Sequence, residues 1–232
     1  LNSLKININV INWMKKHKKV KRVFFSSSAC VYNENNQMSK HSIDTRESSA
    51  YPANPDSDYG WEKLTSERLY LAAARNYGLD VRIGRYHNVY GPECDYLGNR
   101  PKSVAALSVK VIQAEEEIEI FGTGDQVRSF LYIDDCIDAT LNVMRSDYSE
   151  PLNIGSEQLV SINQLVDWFI ELKGKKLRKK HVPGPVGVIA RNSHNDLIRF
   201  HCAWYPQKKL SDGLKETYQW IEGQLTSPQV GD

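Results

Sequence analysis

The chain has 232 residues, 41% of them hydrophobic and 25% charged, and 30 basic against 28 acidic residues leave a net charge of +2. That length suits one or two domains with a real core, and the composition excludes wholesale disorder and collagen-like repeats. So small a charge implies no nucleic-acid or membrane partner, and no apolar run reaches the roughly 20 residues that span a bilayer.

Residues 1–16 place Leu4, Ile8, Ile11 and Met14 at helical spacing, ahead of a basic cluster that favours a helix C-terminus. Asn2, Asn7, Asn9 and Asn12 interrupt this stretch, so it forms no apolar core of a signal peptide. Because Leu1 already lies inside a predicted helix, a preceding segment is expected. Residues 20–28 read as a buried strand and 33–57 as a long loop, a length that usually serves function. The next helix is predicted over 58–77 and closes on Gly78. A strand over 81–86, a loop over 92–101 and a helix over 102–115 follow. Strands over 118–121 and 128–133 flank a Gly122-Thr123-Gly124-Asp125 turn. Asp134 or Asp135 is expected to cap a helix reaching about residue 144. A short strand over 152–154, a helix capped by Ser161, and helices near 195–203 and 209–224 complete the chain. Alternating strands and helices predict an α/β fold with a mostly parallel sheet.

Cys30, Cys94, Cys136 and Cys202 are far apart and form no Cys-x-x-Cys pair. Neither a metal site nor a disulfide framework is expected, and a reduced, cytoplasmic setting is. The basic runs over 15–22 and 173–180 are not interleaved with aromatics, so they read as solvated helix ends.

The sharpest chemical signal is Tyr59-x-x-x-Lys63, which puts both side chains on one helix face. An ammonium beside a phenol favours the phenolate and equips Tyr59 to accept a proton. The spacing alone is common, and an ordinary helix with a tyrosine at its start is the competing reading. Upstream, Ser26-Ser27-Ser28-Ala29-Cys30-Val31-Tyr32 follows a strand, at the carboxyl end where open α/β sheets bind ligands. Cys30 there is either a proton-transfer thiol or a buried small hydrophobe.

In order along the chain stand Ser-Ser-Ala-Cys-Val-Tyr, Tyr59-Gly60-x-x-Lys63, and Arg85-Tyr86-His87-Asn88-Val89-Tyr90-Gly91-Pro92. Arg128-Ser129-Phe130-x-Tyr132-Ile133-Asp134-Asp135 and Leu152-Asn153-Ile154-Gly155-Ser156 follow. Together they resemble the extended short-chain dehydrogenase/reductase superfamily of sugar-nucleotide enzymes. Within it the chain resembles the GDP-mannose 3,5-epimerases. The marks are Cys30 where most relatives carry Thr or Ser, Gly98-Asn99-Arg100-Pro101-Lys102, and Pro183-Gly184-Pro185-Val186-Gly187 ahead of Arg191-Asn192-Ser193.

The resemblance implies a Rossmann-like parallel sheet over residues 1–100, the C-terminal part of an NAD-binding domain. It also implies a smaller α/β sugar-nucleotide domain over 101–232, with about 127–155 returning to the first. It further implies NAD as cofactor, a GDP-sugar substrate and a homodimer. Hydride removal at C4 with Tyr59 as proton acceptor would create a ketone, and the C3 and C5 protons beside it would become acidic. Cys30 and Lys102 match the family's acid/base pair, and Lys63 the residue that tunes Tyr59 and holds the nicotinamide ribose. As a base, Lys102 needs desolvation or nearby cations. Ser28, Ala29, Cys30, Asn88, Lys102, Ser103, Lys110, Gln126, Arg128 and Arg191 match positions that contact the sugar nucleotide.

Two departures stand out. No strand–Gly-x-x-Gly-x-x-Gly–helix is present, so the N-terminal half of the Rossmann-like sheet and the pyrophosphate cradle are expected to be missing. Pro101 replaces the family's usual Glu and stiffens the approach to Lys102. The alternatives are a sugar-nucleotide 4-epimerase or 4,6-dehydratase, or a fragment that only binds sugar nucleotide or dimerises.

Overall fold

The computed structural model describes residues 2–17, 19–98 and 101–227, so Asn99 and Arg100 of the Gly98–Lys102 motif lie outside the described residues. The chain opens with α1 (Asn2–Lys16), β1 (Arg22–Ser28), α2 (Asp58–Tyr77), β2 (Asp80–Tyr86) and β3 (Asn88–Tyr90). It continues through α3 (Ser103–Gln113), β4 (Glu117–Phe121), β5 (Val127–Tyr132), α4 (Ile133–Arg145) and β6 (Leu152–Ile154). It ends with β7 (Leu159–Ser161), α5 (Ile162–Lys173), β8 (Arg178–Val182), β9 (Ala190–Arg191), α6 (Asp196–Cys202) and α7 (Leu210–Thr226).

β1, β2 and β6 form a parallel sheet in that order. Successive strand residues point to opposite faces, and β1 shows it. Phe25 packs with Ile11 of α1 and Tyr70 and Ala73 of α2, whereas Phe24 packs against the cluster built on Cys136, Ala139 and Val143 of α4. Helices on both faces of a parallel sheet are the expected α/β layering. The β1–β2 register runs from Arg22↔Asp80 to Ser28↔Tyr86, so both strands deliver their carboxyl ends together.

β5 organises the other half. It pairs parallel with β3 and β9 and antiparallel with β7. Its Phe130 and Tyr132 join Leu107 and Val111 of α3, Leu165 and Phe169 of α5, and Leu214 and Tyr218 of α7 in the largest core. β4 and β8 form a separate parallel pair, with Ile118 and Ile120 buried and Glu117 and Glu119 paired outward with Arg178 and Lys180.

Two sequence expectations fail here. The 173–180 run is not a solvated helix end: α5 stops at Lys173, whose ammonium binds the Val111, Ile112 and Ala114 carbonyls at the end of α3, and Arg178 begins a strand. Neither Asp134 nor Asp135 caps α4. Tyr132 holds the cap position, and the Asp135 carboxylate instead accepts from the Gln207 and Lys208 amides. A carboxylate one turn into a helix still complements its dipole.

Candidate active site

β1 ends at Ser28, and the chain tightens at once into a 3-10 turn over Ala29–Val31. Ser28 Oγ accepts from the Cys30 amide at 3.2 Å. The start of α2 lies against this turn. Its N-cap is Ser57, whose hydroxyl accepts from the Gly60 amide, and a Cβ at Gly60 would fall 2.2 Å from the Cys30 carbonyl oxygen. Glycine is thus required where α2 meets the cysteine turn. Tyr59 and Lys63 follow on the helix face above it.

Ser26–Cys30, Tyr59, Lys63, Asn88, Pro101, Lys102, Ser103 and Arg191 line a single cavity of about 870 Å³. Cys30 enters from the β1 turn, Lys102 from the position before α3, and Arg191 from β9. The predicted residues among them therefore converge, although the lining comes from five separate stretches of chain. Asn88 is fixed by a 3.0 Å bond from its amide to the Ser129 carbonyl.

Lys110, Gln126 and Arg128 stand outside that cavity. Lys110 Nζ sits 4.7 Å from the Phe121 ring centre and 3.3 Å from the Glu119 carbonyl, and Gln126 donates to the Phe121 carbonyl at 3.4 Å. Arg128 donates to the Val188 and Val186 carbonyls at 2.6 and 3.3 Å. The two groups meet because β5 and β9 pair Arg128 with Arg191. Burial, aided by the neighbouring Arg191, pulls the Arg128 guanidinium down to about 10. Of these two neighbouring cations, Arg191 is paired with the Asp56 carboxylate at 2.9 Å.

Burial dominates the electrostatics of Tyr59 and Lys63. Lys63 donates to the Ser26 carbonyl at 2.8 Å and its ammonium lies 5.6 Å from the Tyr59 ring centre. Burial raises the Tyr59 phenol, the Ser28 hydroxyl beside it acts in the lowering direction, and burial lowers the Lys63 ammonium. Lysine at this spacing shares the face of the tyrosine, its ammonium is turned to the Ser26 carbonyl, and burial dominates the phenol.

Beneath the cavity runs a buried polar network that sequence reasoning missed. Glu67 binds Arg85 in bidentate fashion at 2.9 and 2.7 Å and accepts from Ser27 Oγ at 2.5 Å. Arg85 reaches the Tyr32 hydroxyl, which donates to Asn153 Oδ1 at 2.6 Å. His87 Nε2 donates to the same oxygen at 3.0 Å, and its Nδ1 is buried without a partner. The one available signal was that Glu67 lies one turn beyond Lys63 on the same helix face.

Burial, helped by Arg191 and Arg85, pushes His87 down to about 4, against the bond to Asn153. Unfolded histidine titrates near 6.5, so between those values the unfolded chain holds the extra proton. Stability is therefore full above pH 6.5 and is lost as pH falls toward 4. A loss of about 2 kcal/mol from pH 7.5 to pH 5 is expected from this residue. Urea unfolding at both pH values checks it: His87→Gln should flatten the difference, and an unchanged difference would assign it elsewhere.

The family profile described as "NAD dependent epimerase/dehydratase family" matches residues 2–155. GDP-mannose 3,5-epimerase of Arabidopsis thaliana is 42% identical over 206 residues, which are 89% of this chain and 55% of that protein. A putative UDP-glucose 4-epimerase of Methanocaldococcus jannaschii is 31% identical over 219 residues, 93% of this chain and 67% of that protein. Among solved structures, UDP-glucose 4-epimerase of Thermotoga maritima with UDP-glucose superposes with a TM-score of 0.82 at 29% identity, covering 94% of this chain and 69% of that one. UDP-glucuronic acid 4-epimerase of Bacillus cereus, with UDP-glucuronic acid and NAD, gives 0.79 at 26% identity and covers 96% and 67%. The chain spans about half the length of the 3,5-epimerases it matches. Parallel layering, the Tyr59–Lys63 helix at the end of β1 and these similarities agree, and the chain belongs to the NAD dependent epimerase/dehydratase family.

Proposed function

We propose that the protein carrying this chain epimerises a GDP-hexose at C3 and C5, in the GDP-mannose to GDP-L-galactose sense, through a transient 4-keto sugar. The supporting observation is that Cys30 and Lys102 line one cavity together with Tyr59 and Lys63. A 4-epimerase needs neither the thiol nor that lysine.

A hexose C–H is too weak an acid to exchange near neutrality. Beside a C4 ketone it becomes exchangeable, and two groups on opposite faces can invert the centre. One of Cys30 and Lys102 removes the proton and the other delivers one, which leaves the pair with exchanged roles for the second centre. Tyr59 accepts the C4 hydroxyl proton, and Ser28 holds its hydroxyl. Ala29, Asn88 and Ser103 border the hexose. Arg191, Arg128, Lys110 and Gln126 lie toward the diphosphate and base.

The site fits the nicotinamide-ribose end of NAD, since Tyr59 and Lys63 stand at the carboxyl end of β1. In this reading Lys63 exchanges the Ser26 carbonyl for ribose hydroxyls. Among the described residues no glycine-rich turn leads a strand into a helix; Gly122-Thr123-Gly124 joins β4 to β5. NAD held there would supply the hydride acceptor and donor for C4.

Ile8 and Trp13 of α1 and Trp61 of α2 are exposed, an apolar face consistent with a homodimer. Among the described residues no helix is long and apolar enough to cross a membrane. The four cysteines are free, as a reduced, cytoplasmic setting would keep them. Incubation with GDP-mannose and NAD, followed by NMR of the nucleotide sugars, tests the activity. GDP-hexoses inverted at C3 and C5 are expected, and a product inverted at C4 alone would contradict the assignment.

A further inference from the structure

Arg191 is held on three sides. Its Nε donates to Gln37 Oε1 at 2.5 Å, its NH2 group to Asp56 Oδ2 at 2.9 Å, and its NH1 group to Cys30 Sγ at 3.3 Å. Gln37 is fully buried and is itself pinned by bonds to the Tyr32 and Asn33 carbonyls. The guanidinium plane is thus fixed by two anchors, and its NH1 group is aimed at the sulfur. Asp56 also accepts from the hydroxyl of Ser57, the N-cap of α2, so it joins the arginine to the helix that carries Tyr59.

The charges around the thiol are unequal. Arg191 touches the sulfur, and Arg128, its register partner on β5, interacts electrostatically with both Cys30 and Asp56. Tyr59 of α2 faces the thiol as a neutral phenol, and Lys63 and Lys102 border the same cavity. Asp56 is the carboxylate in direct contact with Arg191, and the pair is largely shielded, with 11% and 23% of the arginine and aspartate side chains exposed. Charges at that depth are screened little by salt.

We propose that Asp56 is a positioning residue for the Cys30 thiol: it holds the Arg191 guanidinium on the sulfur and offsets part of its charge, and so sets how readily the thiol gives up its proton. Cations beside a sulfur favour its anionic form, and a carboxylate on the same guanidinium opposes that effect. A group that acts as acid at one centre and base at the other needs such a balance. The inference rests on the acid/base reading of Cys30.

Its test reads the thiol directly. The purified chain is treated with iodoacetamide at pH 7, and labelling of each cysteine is timed by peptide mass spectrometry. Asp56→Asn keeps an oxygen acceptor for Arg191 and removes the charge, so Cys30 should label about threefold faster or more, because the thiolate is the nucleophile. Cys94 and Cys202 should keep their rates, and Asp56→Glu should stay near wild type. In an Arg191→Gln background the effect of Asp56→Asn should largely vanish, since residues acting through one another are not additive. Cys136 is buried, and its labelling reports unfolding; Asp56→Ser is then the second charge-removing variant. An unchanged or slower Cys30 rate in a folded Asp56→Asn variant would overturn the proposal, as would an acceleration that persists without Arg191. Neither NAD nor sugar nucleotide enters the assay. Failure of the epimerase reading leaves this result standing, and failure here leaves that reading untouched.

Discussion

Glu67→Ala is expected to lower the unfolding free energy by about 3–5 kcal/mol, because it strands Arg85 as an unpaired buried charge. Both side chains are almost inaccessible, at 2% and 3% exposed, so water cannot replace the lost carboxylate. The loss is compounded at Ser27, whose hydroxyl would also lose its acceptor. Truncating an exposed partner such as Glu115, paired with Lys175, is expected to cost far less, because water solvates the ammonium left behind. Urea unfolding curves of the two variants side by side measure the contrast. A Glu67→Ala cost no larger than that of Glu115→Ala would mean that the network is not closed as described. The consequence reaches the site as well, since Arg85 also binds the Glu47 carbonyl and the Tyr32 hydroxyl, two residues past Cys30.

Cys30→Ala is expected to reduce C3/C5 epimerisation by about a hundredfold or more, the usual share of one general acid/base group. Alanine removes the proton carrier and the acceptor of the Arg191 NH1 group while preserving the turn, whose other bonds are made by backbone and Ser28. Initial rates of product formation by NMR give the number. Cys30→Ser separates proton transfer from packing, because a hydroxyl accepts from Arg191 but ionises far less readily. Full activity in Cys30→Ala would remove the thiol from the reaction and favour a 4-epimerase, in which that position has no acid/base work.

How much of this was legible in the sequence depended on distance along the chain. The bounds of α2 were readable because Ser57 caps it locally and Gly78 ends it with a positive φ of 64°. The site motifs were readable because each is short and sits at a strand or helix end. Elements created by tertiary pairing were not. β3, β7 and β9 are two or three residues long and exist through hydrogen bonds to β5, while β8 was hidden in a run of basic residues. Asp135 looked like a cap because caps are local, yet its partners lie in the segment before α7. Lys63 was placed on the correct face, but its use of the Ser26 carbonyl depends on a strand packed from elsewhere. The Gln37–Arg191–Asp56 clamp joins both ends of the 33–57 loop to β9 and leaves no periodic trace at all.

The most direct measurement is the position of solvent deuterium in nucleotide sugar recovered after incubation of the protein with GDP-mannose and NAD in heavy water. If Cys30 and Lys102 remove protons on either side of a transient ketone, deuterium appears at C3 and C5, and C4 keeps its original hydrogen because that hydride returns from the cofactor. Epimerised product with no deuterium at C3 and C5, or with deuterium at C4, would contradict the account.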